Sequence, residues 1–130
     1  MVYVDPTVAY LSTRASSSVH DASPHKLIAL LLDACQDNLA TAKGAMERRE
    51  IKKKAEAIKK AMDIIVRLQA SLDFDSGGTI AINLDELYTF CTNRLAMANA
   101  VNDTALVDEV FRVIAEIKAG WSEIEGAASK

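Results

Sequence analysis

Apolar residues recur every three or four positions along most of the chain, and this spacing predicts four long helices. The first begins at Ser23-Pro24. Ser23 can accept hydrogen bonds from the free amides of a first turn, and Pro24 suits the first helical position, where its missing N–H costs nothing. Its main stripe is Leu27, Leu31, Cys35, Leu39, Ala42 and Met46. Five of the six residues from Leu27 to Leu32 are strongly apolar, so grease covers more than half of the circumference where a surface helix needs one stripe. Something must cover the second face.

Extending the first stripe past Met46 predicts apolar residues near positions 50 and 53, where the chain has Glu50 and Lys53. A new stripe starts at Ile51 and continues through Ala55, Ile58, Met62, Ile65, Leu68 and Leu72. The pattern slips by about one residue, or roughly 100°. A tight break near Arg48 to Glu50 accounts for it. The second helix then ends in Asp73-Phe74-Asp75-Ser76-Gly77-Gly78-Thr79, where paired glycines allow a helix stop and a loop.

A third helix is expected from about Ile80 to Ala100, with Leu84, Leu87, Tyr88, Cys91, Leu95 and Ala98 on one face and Phe90, Met97 and Val101 on another. Asn102-Asp103 marks a short connection, with Asp103 as N-cap of the fourth helix. That helix carries Leu106, Val110, Val113, Ile117, Trp121 and Ile124, with Val107, Phe111 and Ile114 as a second stripe. Short connections force neighbours to run antiparallel. The expected fold is therefore all-α, an antiparallel up-down four-helix bundle.

Residues 1–22 hold Tyr3, Val8, Tyr10 and Leu11 as isolated apolar points among polar residues. They read as an N-terminal arm or cap, followed by the bundle over 23–126 and a disordered tail over 127–130. A chain of 130 residues is long enough for one core without metal or disulfide staples. Half of it is hydrophobic, with only two Pro and five Gly, which favours helices over a sheet. No stretch reaches about 18 apolar residues, and the start lacks a basic region followed by an apolar run, so neither membrane insertion nor a signal peptide is expected. A cytoplasmic location follows as the expectation. Cys35 and Cys91 fall in apolar registers and read as buried free thiols.

Catalytic chemistry finds little support. His20 and His25 have no partner at ligand spacing, and a di-metal bundle would need inward Glu and Glu-x-x-His motifs that the chain lacks. Gly77-Gly78 has neither the lysine nor the strand of a phosphate loop. The expectation is a non-enzyme without cofactor or metal. Lys43, Arg48, Arg49, Lys52, Lys53, Lys54, Lys59 and Lys60 gather half of the basic residues, but Glu47, Glu50 and Glu56 dilute them and no aromatics interleave. With a net charge of −3, nucleic acid is not the expected partner. A solvated helix end or an acidic protein partner both fit this cluster.

The surplus apolar positions also admit two readings. Leu27, Leu31, Ile58, Ile65, Leu84, Leu95, Val110 and Ile117 are expected in the core. Ile28, Leu32, Ile64, Phe90, Phe111 and Ile114 fit either a core or an outer groove that docks an amphipathic guest helix.

Several ordered pieces carry a resemblance: Ala22-Ser23-Pro24 with Lys26-Leu27-Ile28, Asp63-Ile64-Ile65 with Ser71-Leu72-Asp73, Gly77-Gly78 with Asn83-Leu84 and Leu87-Tyr88, and then Arg94-Leu95, Asn102-Asp103 and Trp121. From Tyr10 to Trp121 the chain resembles the FliS-type flagellar export chaperones. The resemblance implies a bundle with a mobile N-terminal segment that binds the disordered C-terminal segment of flagellin, blocks premature polymerisation and keeps the client fit for export. It makes the six second-face residues candidates for the client groove and places Tyr10 and Leu11 in a regulatory arm. Flagellar export-gate components are further candidate partners. A monomer is expected, with a dimer as the alternative. The chain departs from the family pattern at Leu32, where an aromatic is usual, and at Arg49-Glu50, where Gly-Asp is usual. A self-associating helical adaptor is the competing reading, and a mass measurement without client separates the two.

Overall fold

The computed structural model describes residues 23–128, with side chains as far as Glu123. Tyr10 and Leu11 lie outside the described residues. Four helices follow one another: α1 (Pro24–Glu47), α2 (Ile51–Ala70), α3 (Phe74–Val101) and α4 (Thr104–Ala128). Each packs on its neighbour in sequence and α4 returns to α1, which closes the ring. The all-α antiparallel bundle expected from the spacing is the observed fold. The last helix passes residue 126, where the bundle was expected to end.

Local chemistry places the ends. Ser23 Oγ accepts the Lys26 amide at 3.1 Å, and Pro24 occupies the first turn of α1. At the other end of α1, the Glu50 amide donates to the Ala45 carbonyl at 2.8 Å and the Arg49 amide to that of Met46 at 3.2 Å. This paired closure needs a left-handed residue between them, and Arg49 supplies it with φ 57°. The break predicted from the phase slip is here.

The corner between α2 and α3 is shorter than expected. Asp73 Oδ1 accepts the amides of Asp75 and Ser76, both at 3.1 Å, so a helical turn starts at Phe74 within the stretch expected to be loop. Gly78 then breaks that turn with φ 51° and ψ −126°, and the long part of α3 continues in a new direction. Only glycine takes this backbone conformation cheaply. At the far end of α3, Asn102 adopts a left-handed cap, and Asp103 Oδ1 accepts the Ala105 amide at 2.9 Å to start α4.

The core contains Leu31, Leu39, Ile58, Ile65, Leu95 and Val110, together with buried alanines on α1, α2 and α3 that let the helices approach. Leu27, Leu84 and Ile117 were expected to be buried, yet they are only half-covered because they sit near the open end of the bundle. Cys35 on α1 and Cys91 on α3 are buried free thiols. No Cα of α1 comes within 8 Å of one on α3, beyond the roughly 7 Å that a disulfide can span without backbone movement. Ion pairs cross the outer seams. Lys43 meets Asp108 at 3.0 Å and Lys118 meets Asp33 between α1 and α4, while Arg94 meets Glu109 at 3.3 Å between α3 and α4.

Candidate functional site

The bundle end where α1 begins holds a cavity of about 580 Å³. Leu27 and Ile28 of α1, Leu72 from the corner, Ile80 and Leu84 of α3, and Ile117 and Trp121 of α4 form most of its wall. These side chains gather where the first turn of α1, the α2–α3 corner and the later turns of α4 meet, and among the described residues they stay partly open. Trp121 joins the first and last helices: its Nε1 donates to the His25 carbonyl at 2.9 Å, and the two rings stack with centroids 4.3 Å apart. The polar rim is small. Asp73 lies on it, and the amide and hydroxyl of Ser76 hold its carboxyl below the ordinary value of 3.8.

A second apolar feature begins at this cavity and follows α3. Leu87, Phe90, Arg94, Met97 and Val101 recur at spacings of three and four, and Ile80 lies seven residues before Leu87 on the same side. Ile80, Leu87, Met97 and Val101 are all large and exposed, Ile80 at 68%. Arg94 sets the direction of this stripe, because it pairs with Glu109 of α4. The row therefore flanks the α3–α4 seam. The Arg94 guanidinium also lies over the Phe90 ring at 4.9 Å, and its aliphatic stem continues the apolar track. From Ile80 to Val101 the track spans about 30 Å at the rise of an α-helix.

The six second-face residues do not form one groove. Leu32 and Ile114 are fully buried and Ile64 is 2% exposed, so these three belong to the core in place of an outer face. Each helix of the ring packs on two neighbours, which makes its inward sector wider than one stripe. Ile28 lines the end cavity and Phe90 lies on the α3 track. Phe111 is 37% exposed, but it shares a row with Asp108 and Lys118, both paired to α1, and so it borders the α1–α4 seam. Leu72, Leu84, Ile117 and Trp121 of the cavity were missed as site residues. Their signal was position: these apolar residues lie towards the helix ends that meet at one end of the bundle, where fewer neighbouring turns pack on them.

Among the described residues, the buried thiols and the Tyr88 hydroxyl are held away from their ionised forms. Burial pushes the Cys91 thiol up to about 12 and the Tyr88 hydroxyl up to about 12, and it raises the Cys35 thiol further still. These groups stay protonated and inert at neutral pH. Among the described residues, no three His, Cys, Asp or Glu side chains stand close enough to hold a metal ion. Among the described residues, no helix is long and apolar enough to cross a membrane.

Fold and surface together define the class, a small all-α bundle whose described residues leave an apolar cavity at one end and an exposed apolar track leading from it. The family described as flagellar protein FliS matches residues 7–128, and the chain belongs to that family. It is 45% identical over 115 residues to the flagellar secretion chaperone FliSB of Pseudomonas aeruginosa, covering 88% of this chain and 91% of that one. It is 40% identical to the flagellar secretion chaperone FliS of Vibrio cholerae, covering 89% of this chain and 85% of the relative. The FliS of Bacillus subtilis is more distant, at 27% identity over 95% of this chain and 88% of the relative. The family is one of flagellar secretion chaperones.

Proposed function

We propose that this protein binds the C-terminal segment of flagellin in the cytoplasm, keeps it from polymerising and delivers it for export. The observation that carries this reading is the exposed apolar track on α3, Ile80 to Val101, continuous with the end cavity. A disordered client segment pays its conformational entropy on binding, so it needs a long apolar surface to offset that cost. An amphipathic helix of some 20 residues would match the length of the track. Ile28 and Phe90 remain in the proposed contact surface, joined by Leu87, Met97 and Val101. Phe111 belongs to a second candidate strip on the α1–α4 seam.

Titration with a soluble flagellin C-terminal peptide of roughly 40 residues, enough for two helices on a track of this length, tests the reading. The expected result is near 1:1 heat in calorimetry, added helix by circular dichroism and a blue shift of the emission of Trp121, the only tryptophan. Absence of all three refutes it. An obligate oligomer that ignores the peptide would support the self-associating adaptor instead.

A further inference from the structure

We infer that the α1–α2 corner is a docking site for an acidic, amphipathic segment of a second protein, separate from the apolar track. This end of the molecule lies about 36 Å from the cavity, the length of α1 at helical rise. Residues 47–54 hold five basic and two acidic side chains, a local excess of positive charge in a chain whose net charge is −3. Arg48 pairs with Glu50 and so cancels one of the two carboxylates. Arg49, Lys52 and Lys53 remain exposed.

Three departures from what stability alone favours coincide at this spot. Arg49 occupies a left-handed backbone position that glycine fills at least strain. Ile51 is 74% exposed, the most exposed large apolar side chain among the described residues. Lys52 and Lys53 stand in the first turn of α2, which has no acidic residue, and the N-cap Glu50 makes no side-chain cap hydrogen bond and pairs with Arg48, although the positive end of a helix dipole favours carboxylates there. Such conflicts between local rules and the fold concentrate at functional surfaces. The last two become favourable once a partner supplies carboxylates to the lysines and an apolar side chain to Ile51, and exposed Arg49 adds a further cation beside them.

A cleft of about 210 Å³ gives that side chain somewhere to go, between Ala45, Ile51 and the buried stem of Lys54. The floor is rigid. Lys54 Nζ donates to the Asn99 carbonyl at 3.1 Å and to Asn102 Oδ1 at 3.3 Å, tying α2 to the end of α3. The absence of aromatic side chains from the 47–54 stretch favours an acidic protein segment over single-stranded nucleic acid, which stacks its bases.

The test is fluorescence anisotropy of the full chain with a labelled peptide of Glu and Leu repeated at helical spacing. Lys52→Glu/Lys53→Glu is expected to weaken binding by about tenfold or more and Ile51→Ser by several-fold. The charge-matched control Lys26→Glu/Arg112→Glu, whose sites lie outside the basic cluster, should keep most of the affinity. Added salt should weaken binding of the parent protein, and the Lys52→Glu/Lys53→Glu variant should melt no lower than the parent. No binding, equal binding by all variants, or insensitivity to Ile51→Ser overturns the proposal. Tighter binding of a labelled oligothymidylate than of the peptide also overturns it and assigns the corner to nucleic acid.

Discussion

Arg49 shows what one backbone angle costs. A left-handed conformation is unfavourable by about 1–2 kcal/mol for a residue with a Cβ, and the extra unfolded-state freedom of glycine returns part of any gain. Arg49→Gly should therefore raise stability by about 0.5–1 kcal/mol, seen as an increase of a few degrees in melting temperature. No increase would mean that the Arg49 side chain contributes enough to offset its backbone. Ile114 and Phe111 make a second comparison on one helix. Ile114→Asp places an unpaired charge in the core and should cost about 3–5 kcal/mol, whereas Phe111→Asp, at a partly exposed seam, should leave the fold intact. Denaturant melts of the two variants check this. The sequence could name both as apolar members of one stripe, but position on a helix wheel does not say how many neighbours the helix has.

At the scale of elements, caps and breaks were more legible than faces. Ser23-Pro24 and Asp103 marked helix starts through side-chain chemistry that acts within three residues, so no tertiary information was needed. The α2–α3 corner was read as a loop because its paired glycines outweighed Asp73, although Asp73 offers the same local capping signal as Asp103 and caps a turn before Gly78 breaks it. That cap carries a pH prediction. Hydrogen bonds from Ser76 and Asp75 hold the Asp73 carboxyl below its ordinary value of 3.8, so the folded state favours the ionised form. The stabilisation is present above pH 3.8 and is lost as pH falls through the lower, folded-state value. Asp73→Ala should be less stable than the parent at pH 7, and the difference should shrink on acidification below pH 3.8. Thermal melts across that range measure it. A constant difference would show that the charge of Asp73 does not act through this cap.

At the scale of the whole molecule, the apolar track and cavity predict how the N-terminal arm behaves. If residues 1–20 cover this surface through Tyr3, Val8, Tyr10 and Leu11, the apparent client affinity is reduced by the fraction of molecules in which the arm is open. Deleting the arm should tighten binding of the flagellin peptide modestly and increase self-association of the free protein, with Tyr10→Ala a weaker version of both. A clear loss of affinity would make the arm part of the binding surface. The chain's sequence by itself determined four helices, their order and their antiparallel course, because helical periodicity and short connections are local properties. It also carried the family, through ordered residues from Tyr10 to Trp121. Only the tertiary structure decided which apolar faces remain outside. Leu32, Ile64 and Ile114 went inward while Ile80, Met97 and Val101 stayed exposed, since burial depends on how many helices surround a side chain, and that number is set by packing between segments far apart in the chain.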